Sequence, residues 1–383
     1  MEKKTNMKSE KYCRYSIFRS RICAARRPKL HDPSEKSPSR ISLQAAALTS
    51  GMGGKSEKSC RYKILHSGAC AAGPGTCDRI GETRSGLSPR VAALTSGMVG
   101  KNEKALLAVS FGTTFAQTRE RTIGAIERKL ADRFPDREVR RSFTSRMIRK
   151  KLLERDGLRV DSPQEALERA LEDGVRDMVV QPLYLMHGQE HLRLMETVEK
   201  YKSSFDRLAV GKPLLAGRRD CEVMAEAIGR HIPAAKGITG TSAVVMMGHG
   251  TDPEKAKRLP GQPDLFAGGD ANAVYRILQE TLREKGMDDH YIATVEGEPR
   301  IEDILPLVCR PEIRGVVLAP LMIVAGDHAV HDLAGEEEDS WKNLFAQRGF
   351  QVETALQGIG EWDEVRELFA EHAKEASEAV HIL

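Results

Sequence analysis

Three short segments place histidine or carboxylate side chains directly after apolar runs that are typical of buried strands. They are Gly248-His249-Gly250-Thr251, Val295-Glu296-Gly297 and Gly326-Asp327-His328. Two imidazoles and one carboxylate form a ligand set suited to a borderline divalent ion such as Co²⁺, Ni²⁺, Fe²⁺ or Zn²⁺. Nitrogen and oxygen ligands without thiolate also let the metal leave again, which a delivery enzyme needs and a structural site avoids.

Each of these residues also has a purely structural interpretation. His249 in a G-H-G turn could only hydrogen-bond the backbone, and Glu296 could cap a helix that begins near Pro299. The sequence D-H-A-V-H at 327–331 could form the exposed start of a helix. The occurrence of all three segments at strand ends favours the functional interpretation.

The chain behind Met98 repeats one plan of strands and helices. Apolar runs stand at 105–110, 177–182, 242–251, 291–295 and 315–321, and helical patterns at 117–133, 163–174 and 271–285. Strands that alternate with helices predict parallel sheets covered by helices on both faces. We therefore expect an α/β fold of two similar Rossmann-like lobes, residues 98–240 and 241–383, with the active site in the cleft between them.

A single offset of 138 residues aligns the two halves. It superimposes 112–113 on 250–251, 182–183 on 320–321, and Gly188 on Gly326. The same offset places Phe111 on His249 and Glu190 on His328, so both histidines belong to the second half alone. Because a structural duplicate does not need them, they are better functional candidates than isolated histidines. In open parallel sheets, ligands bind at the carboxyl ends of the strands, where these turns must lie.

The first 97 residues differ from the rest in charge. They carry 19 Lys and Arg against seven Asp and Glu, a net charge of +12, whereas the remainder has −8. KSEKYCRY at 8–15 recurs as KSEKSCRY at 55–62, and AALTSGMGGKSEK at 46–58 recurs as AALTSGMVGKNEK at 92–104. Two copies without helical or strand periodicity cannot stack into a stable array. We expect a disordered extension, or upstream sequence translated from too early a start codon, with Met98 as the true N-terminus. A basic arm for nucleic acid or lipid, or a Cys-rich metal site, is the alternative.

Several functional classes are excluded by composition and motifs. Only Cys221 and Cys309 follow residue 98, which argues against a disulfide framework and for a reducing compartment. No apolar run reaches signal-peptide or membrane-span length, so we expect a cytoplasmic protein with no membrane partner. No P-loop follows any predicted strand, so no nucleotide is expected.

Six segments carry a resemblance to a known family: VSFGTTF at 109–115, FTS at 143–145, VQPLYLMHGQE at 180–190, MGHGT at 247–251, VEGEP at 295–299, and APLMIVAGDHAVHDLAGEEEDSWK at 319–342. Residues 105–370 resemble the sirohydrochlorin cobalt chelatases of anaerobic cobalamin biosynthesis, which belong to the class II chelatase fold that includes ferrochelatase. The resemblance implies ATP-independent insertion of Co²⁺ into sirohydrochlorin. It also implies that His249, Glu296 and His328 bind the metal, with His249 accepting the pyrrole protons.

The macrocycle is flat, apolar on its faces and rich in carboxylates. Candidate substrate-binding residues are Ser110, Phe111, Thr113, Thr114, Tyr184 and Glu190. Leu185 and Met322 are further candidates for the apolar walls of the cleft, although core packing would serve them equally well. Arg119 and Arg146 are candidates for binding the carboxylates.

Two departures from the family pattern bear on the metal. The segment 252–271 is longer than usual, and we expect a flexible flap beside His249. His331 stands where an Asn is common. Iron or nickel insertion into a related tetrapyrrole is therefore one alternative, and a non-catalytic metal or tetrapyrrole carrier is the other. A bound haem and a nucleic-acid partner are not expected, and the sequence leaves a homo-oligomer open.

Overall fold

The computed structural model describes residues 102–232, 241–252 and 270–379. The repeats of the first 97 residues, the candidate start at Met98 and most of the expected flap lie outside the described residues.

The described residues contain two four-stranded parallel sheets of the same topology. The first contains β1 (Lys104–Ser110), β2 (Glu138–Phe143), β3 (Asp177–Pro182) and β4 (Arg207–Val210) in the order β2-β1-β3-β4. The second contains β5 (Thr241–Gly248), β6 (His290–Thr294), β7 (Ile313–Pro320) and β8 (Gln351–Thr354) in the order β6-β5-β7-β8. The predicted fold class is confirmed.

Ten α-helices of the described residues flank the sheets: α1 (Ala116–Arg121), α2 (Ile123–Arg133), α3 (Arg146–Asp156), α4 (Pro163–Glu172), α5 (Gln189–Tyr201), α6 (Arg218–His231), α7 (Ala273–Glu284), α8 (Ile301–Val308), α9 (Trp341–Ala346) and α10 (Asp363–Glu378). The single helix expected at 117–133 is two helices, because Thr122 at their junction leaves the helical region with φ −104° and ψ −84°. None of the described helices combines the length and the apolar character that a bilayer crossing requires.

The central strands are buried on both faces. Leu106 belongs to a hydrophobic cluster that also contains Val317 of the second sheet and Phe369 of α10, whereas Leu107 packs into a separate cluster on the opposite face. Such burial explains why these strands read as continuous apolar runs in the sequence. The last helix, α10, packs against α2, β3 and β4 of the first lobe, and α6 of the first lobe packs against α7 of the second, so these helices join the two lobes.

The backbone hydrogen bonds at the strand ends repeat between the lobes. Leu183 N–H donates to Val109 O at 2.7 Å, and Leu321 N–H donates to Met247 O at 2.7 Å. Beyond these strands, Gly188 N–H donates to Met186 O at 2.9 Å, and its counterpart Gly326 N–H donates to Val324 O at 3.0 Å. The two sheets therefore end in equivalent turns, in agreement with the offset of 138 residues.

Two histidines, a partly buried His187 and a buried His191, lie beside the turn that follows β3. The rings of His187 and His191 are perpendicular with centroids 4.7 Å apart. Burial, reinforced by the nearby charges of His372 and Lys212, lowers the pKa of His187 to about 4, and burial beside His187 lowers the pKa of His191 to about 3. Both imidazoles are therefore neutral at neutral pH.

We predict that these histidines make the fold sensitive to mild acid. The unfolded chain binds protons at both positions below a pH of about 6.5, while the folded protein does not until the pH approaches the lowered pKa values. The free energy of unfolding is thus at its full value at neutral pH, and it falls by up to about 2 kcal/mol per histidine between pH 7 and pH 5. Urea unfolding at both pH values measures the loss. His191→Phe should reduce it, and His331→Phe, at an exposed position, should not; an equal loss in all three proteins would contradict the assignment.

Candidate functional site

The three predicted metal ligands lie at the carboxyl edge of the second sheet. His249 follows the last residue of β5, Glu296 lies two residues after the end of β6, and His328 precedes a π-helical turn at Ala329–Leu333 beyond β7. The strands β6, β5 and β7 are neighbours in the sheet. Adjacent parallel strands are about 4.8 Å apart, so their carboxyl ends bring the three side chains together.

The observed distances agree with this placement. The rings of His249 and His328 are perpendicular with centroids 4.9 Å apart, and His249 Nδ1 lies 3.9 Å from Glu296 Oε2. The side chains of His249 and Glu296 are 47% and 57% exposed, and that of His328 is 37% exposed. The group is thus open to an incoming ion and to a second substrate.

Hydrogen bonds at Nδ1 leave the outer nitrogen of each imidazole available. His249 Nδ1 lies 3.0 Å from Gly250 O, and His328 Nδ1 is hydrogen-bonded to the carboxylate of Asp332. A ring that donates from Nδ1 keeps the lone pair on Nε2, which is the usual way in which a second partner fixes the tautomer of a metal-binding histidine. The backbone bond that the structural interpretation of His249 supposes is present, and it is compatible with metal binding.

These three residues are neighbours but do not form a closed coordination sphere. Within the described ranges, no group of three or more His, Cys, Asp or Glu side chains is arranged to hold a metal ion. Glu296 faces Nδ1 of His249, the nitrogen that is already hydrogen-bonded. The three side chains would have to rotate for all of them to meet one ion. Their exposure leaves room for that rotation.

Close packing of backbone holds the His249 and Glu296 turns together. A Cβ atom on Gly250 would lie 2.5 Å from Gly297 N, and Gly250 has φ +74°. Glu296 N–H donates to His249 O at 2.8 Å across the same contact. Only glycine fits at residue 250, because a side chain would meet backbone and the conformation disfavours other residues.

Two buried side chains that the sequence did not single out support the His249 turn. Tyr275 OH accepts a hydrogen bond from Gly250 N at 3.1 Å, and its ring fills the space where a side chain of Gly248 would lie. Asn272 is fully buried and bonds both the N–H and the carbonyl of Thr251, at 3.0 and 2.7 Å. Their sequence N-A-V-Y shows only the periodicity of a helix start, so their role could not be inferred from it.

The capping interpretation of Glu296 is not observed. Helix α8 begins at Ile301 with Arg300 as its N-cap, and Asp303 accepts the Arg300 N–H at 2.9 Å. Glu296 is therefore not needed to start the helix.

The equivalent turns of the first lobe have the same backbone hydrogen bonds but carry different side chains. Thr144 N–H donates to Ser110 O as Val295 N–H donates to Gly248 O, and Ser145 N–H donates to Phe111 O as Glu296 N–H donates to His249 O. Phe111, Ser145 and Glu190 thus occupy the places of His249, Glu296 and His328. No imidazole stands at any of the three first-lobe positions.

The candidate substrate residues of the first lobe differ in accessibility. Phe111 is 52% exposed, whereas Ser110 and Thr113 are 4% and Tyr184 is 9% exposed. The Thr113 hydroxyl accepts the Phe115 N–H at 3.2 Å, which shapes the turn. The remaining candidates are partly exposed: the Thr114 carbonyl accepts a bond from Arg155 at 2.6 Å, and Glu190 is paired with Arg193 at 2.9 Å.

His331 lies at the outside of the π-helical turn. Its side chain is 64% exposed, and its Nδ1 lies 3.1 Å from Asp327 O. Leu185 and Met322, the other wall candidates, are partly buried against the hydrophobic clusters.

Comparisons with known proteins show that the chain is similar in sequence to one family. Residues 104–378 match the sequence model of the cobalt chelatase (CbiK) family. The chain is 35% identical over 272 residues to a sirohydrochlorin cobaltochelatase of Salmonella typhimurium, covering 71% of this chain and 96% of the relative. It is 32% identical over 278 residues to sirohydrochlorin cobaltochelatase CbiKC of Nitratidesulfovibrio vulgaris, covering 72% and 91%. The solved structure of SirB from Bacillus subtilis with Fe³⁺ shares 13% identity at a TM-score of 0.49, covering 72% and 96%.

We predict that Gly250→Ala separates the metal-binding turns. The substitution forces the Gly297 backbone away, so Co²⁺ affinity should fall at least about tenfold, equivalent to about 1.4 kcal/mol. Gly286→Ala is the matched control, because Gly286 has φ +78° but nothing within 4 Å of the added Cβ. Both variants should lose about 1 kcal/mol of stability from the backbone conformation. Calorimetric Co²⁺ titration of the two variants measures the difference, and equal affinities would show that the contact does not position the site.

Proposed function

Because the chain belongs to the cobalt chelatase (CbiK) family, we propose that it inserts Co²⁺ into sirohydrochlorin without nucleotide hydrolysis. The observation that carries the proposal is the proximity of His249, Glu296 and His328 at one edge of the second sheet. We assign metal binding to all three and proton acceptance to His249.

The reaction exchanges two pyrrole N–H protons for one divalent cation. A neutral imidazole suits both halves of this exchange, since it offers a lone pair to the metal and later takes a proton near neutral pH. The Nε2 lone pair of His249 cannot do both at once. We propose that it first binds Co²⁺ and that, as the metal passes to the pyrrole nitrogens, it accepts the two displaced protons one after the other, each of which leaves to solvent through Glu296.

Glu296 is placed to support both states of His249. Its carboxylate partly neutralises the incoming metal charge, and from 3.9 Å it can stabilise the imidazolium once His249 is protonated. With 57% of its side chain exposed, Glu296 can also release the proton to solvent. His328 supplies the second nitrogen ligand, oriented by Asp332.

The first lobe is proposed to bind the tetrapyrrole. Phe111 is the exposed candidate for contact with the macrocycle, and Thr113 and Thr114 shape the turn that presents it. Ser110 and Tyr184 are buried, so we assign them to the packing beneath this site, and we assign Glu190 to its edge. The cytoplasmic location and a homo-oligomer stay predictions.

Two alternatives share most of this site. Iron or nickel insertion would use the same nitrogen and oxygen ligands, and a metal or tetrapyrrole carrier would bind without transfer. Competition between Co²⁺, Fe²⁺ and Ni²⁺ for sirohydrochlorin separates the first alternative. A carrier would not convert an excess of sirohydrochlorin into its cobalt complex, so the absorption spectrum of the excess macrocycle would stay that of the metal-free form.

We predict that His249→Ala abolishes metal insertion while the fold persists. The residue lies in an exposed turn, so its removal takes away the metal ligand and the proton acceptor without opening a cavity. Activity should fall at least about 100-fold, within the range that general acid–base groups contribute. The absorbance change of sirohydrochlorin on mixing with Co²⁺, against a protein-free control, measures it.

His331→Ala provides the comparison for this variant. His331 is an exposed histidine of the same edge, and we assign it to the rim, so its replacement should leave most of the activity. If His331→Ala were the more damaging change, or if His249→Ala kept more than a few per cent of the activity, the assignment of the proton acceptor would be wrong.

A further inference from the structure

Helix α7 begins with an asparagine whose side chain does not cap it. Asn272 is the N-cap residue of α7, and asparagine is among the residue types that best accept a hydrogen bond from the first turn of a helix. Within the described first turn of α7, the Asn272 side chain makes no such bond. It accepts a hydrogen bond from Thr251 N–H at 3.0 Å and donates one to Thr251 O at 2.7 Å. A residue suited to stabilising its own helix is therefore used to hold the turn that carries His249.

The same side chain touches the turn that carries Glu296. A Cβ atom on Gly297 would lie 2.5 Å from Asn272 Oδ1, so the Gly297 backbone packs directly on the Asn272 amide. Asn272 is fully buried, and its backbone N–H donates to Asp270 Oδ1 at 2.9 Å. Both turns of the proposed metal site thus rest on one fixed side chain.

Tyr275, three residues further along α7, supports the other side of the His249 turn. Its hydroxyl accepts the Gly250 N–H at 3.1 Å, and its ring occupies the space that a side chain at Gly248 would need. Tyr275 is itself buried. Among residues 248–251, only His249 is exposed. The backbone of the turn is therefore held from below, while the imidazole stays open to an ion.

The corresponding turn of the first lobe is held differently. Thr113, the counterpart of Thr251, accepts a hydrogen bond on its carbonyl from Arg119 at 3.2 Å. Arg119 is long and partly exposed, whereas Asn272 is short and fully buried. A short buried side chain has fewer rotamers than a long exposed one, so it holds its partner in a narrower range of positions. The more rigid support belongs to the lobe that carries the proposed metal ligands.

We infer that Asn272 and Tyr275 are positioning residues for the metal-binding pair His249 and Glu296. Both are buried beneath the turns, so they act by fixing the backbone from which the two ligands project. The assignment rests on the proposed function, since it concerns the metal pair of that site. Ligands that are held in place bind an ion with little ordering cost. Loosening the support should therefore lower Co²⁺ affinity and change the coordination geometry.

The first test removes the Tyr275 hydroxyl alone. Tyr275→Phe keeps the ring beside Gly248 and leaves the buried Gly250 N–H without its acceptor. The Kd for Co²⁺, from calorimetric titration, should rise about fivefold, in keeping with the loss of one buried hydrogen bond. The visible absorption bands of bound Co²⁺ depend on its coordination geometry, so they should change as well.

Tyr291→Phe is the matched control for this variant. Tyr291 is buried in β6 of the same lobe, and its hydroxyl lies 3.4 Å from the backbone acceptor Leu307 O and 3.0 Å from the donor Arg310 Nη2. Loss of this hydroxyl should lower the free energy of unfolding in urea, as Tyr275→Phe does. The Kd for Co²⁺ should nevertheless stay within twofold, and the bands of bound Co²⁺ should not change.

A second pair of variants tests the asparagine. Asn272→Ala removes both bonds to Thr251, so the Kd for Co²⁺ should rise at least about tenfold. Gln279→Ala is its control, because Gln279 lies in the same helix and its amide also bonds a backbone N–H and a backbone carbonyl. These belong to Ile292 and His290, at 2.9 and 2.7 Å. In both test variants the KM for Co²⁺ should rise, while the Kd for metal-free sirohydrochlorin should stay within twofold.

The comparison of each variant with its control decides the positioning role. Equal Co²⁺ Kd values and equal spectra within both pairs would overturn it. An equal loss of affinity for Co²⁺ and for sirohydrochlorin would also overturn it, because the whole cleft would then be disturbed. The Co²⁺ titrations work without turnover. A protein that binds Co²⁺ and fails to insert it would therefore overturn the proposed function, while the four variants would still decide the positioning role.

Discussion

The backbone contact between Gly250 and Gly297 determines the geometry of the second-lobe edge. A Cβ atom at residue 250 would come within 2.5 Å of the Gly297 nitrogen, so the turns after β5 and β6 touch without an intervening side chain. Since His249 precedes one glycine and Glu296 precedes the other, their side chains must leave the sheet side by side. Asn272 and Tyr275 hold the same turn from the helix that follows it. The chemistry therefore depends on residues that take no part in it.

The repeated fold lets the two lobes present different chemistry from equivalent positions. The backbone N–H groups of Ser145 and Glu296 make equivalent hydrogen bonds, to the carbonyls that follow β1 and β5. The Ser145 side chain nevertheless caps α3, whereas the Glu296 side chain faces an imidazole. An offset along the sequence relates Phe111 to His249 but not Ser145 to Glu296, because the connections to β2 and β6 differ in length. Sequence alignment alone therefore found two of the three equivalences.

The fold was predictable where strands are buried on both faces. The central strands β1, β3, β5 and β7 appear as apolar runs, and their predicted ends agree with the structure to within three residues. The edge strands β2, β4 and β8 were not predicted. Their sequences EVRRSF, RLAV and QVET are short or half polar, because edge strands meet solvent. The Thr122 break was also missed, since no glycine or proline marks it.

The site was predictable in location more than in side-chain direction. The rule that ligands lie at carboxyl strand ends identified the correct edge for His249, Glu296 and His328. It could not show that Tyr184 turns into the core while Phe111 stays 52% exposed, since a strand end does not fix the direction of the next side chain. The open arrangement of the three proposed metal-binding side chains suits the proposed reaction. Four or more ligands closed around an ion would hold it against transfer, whereas three exposed side chains can release it to a macrocycle that offers four nitrogens.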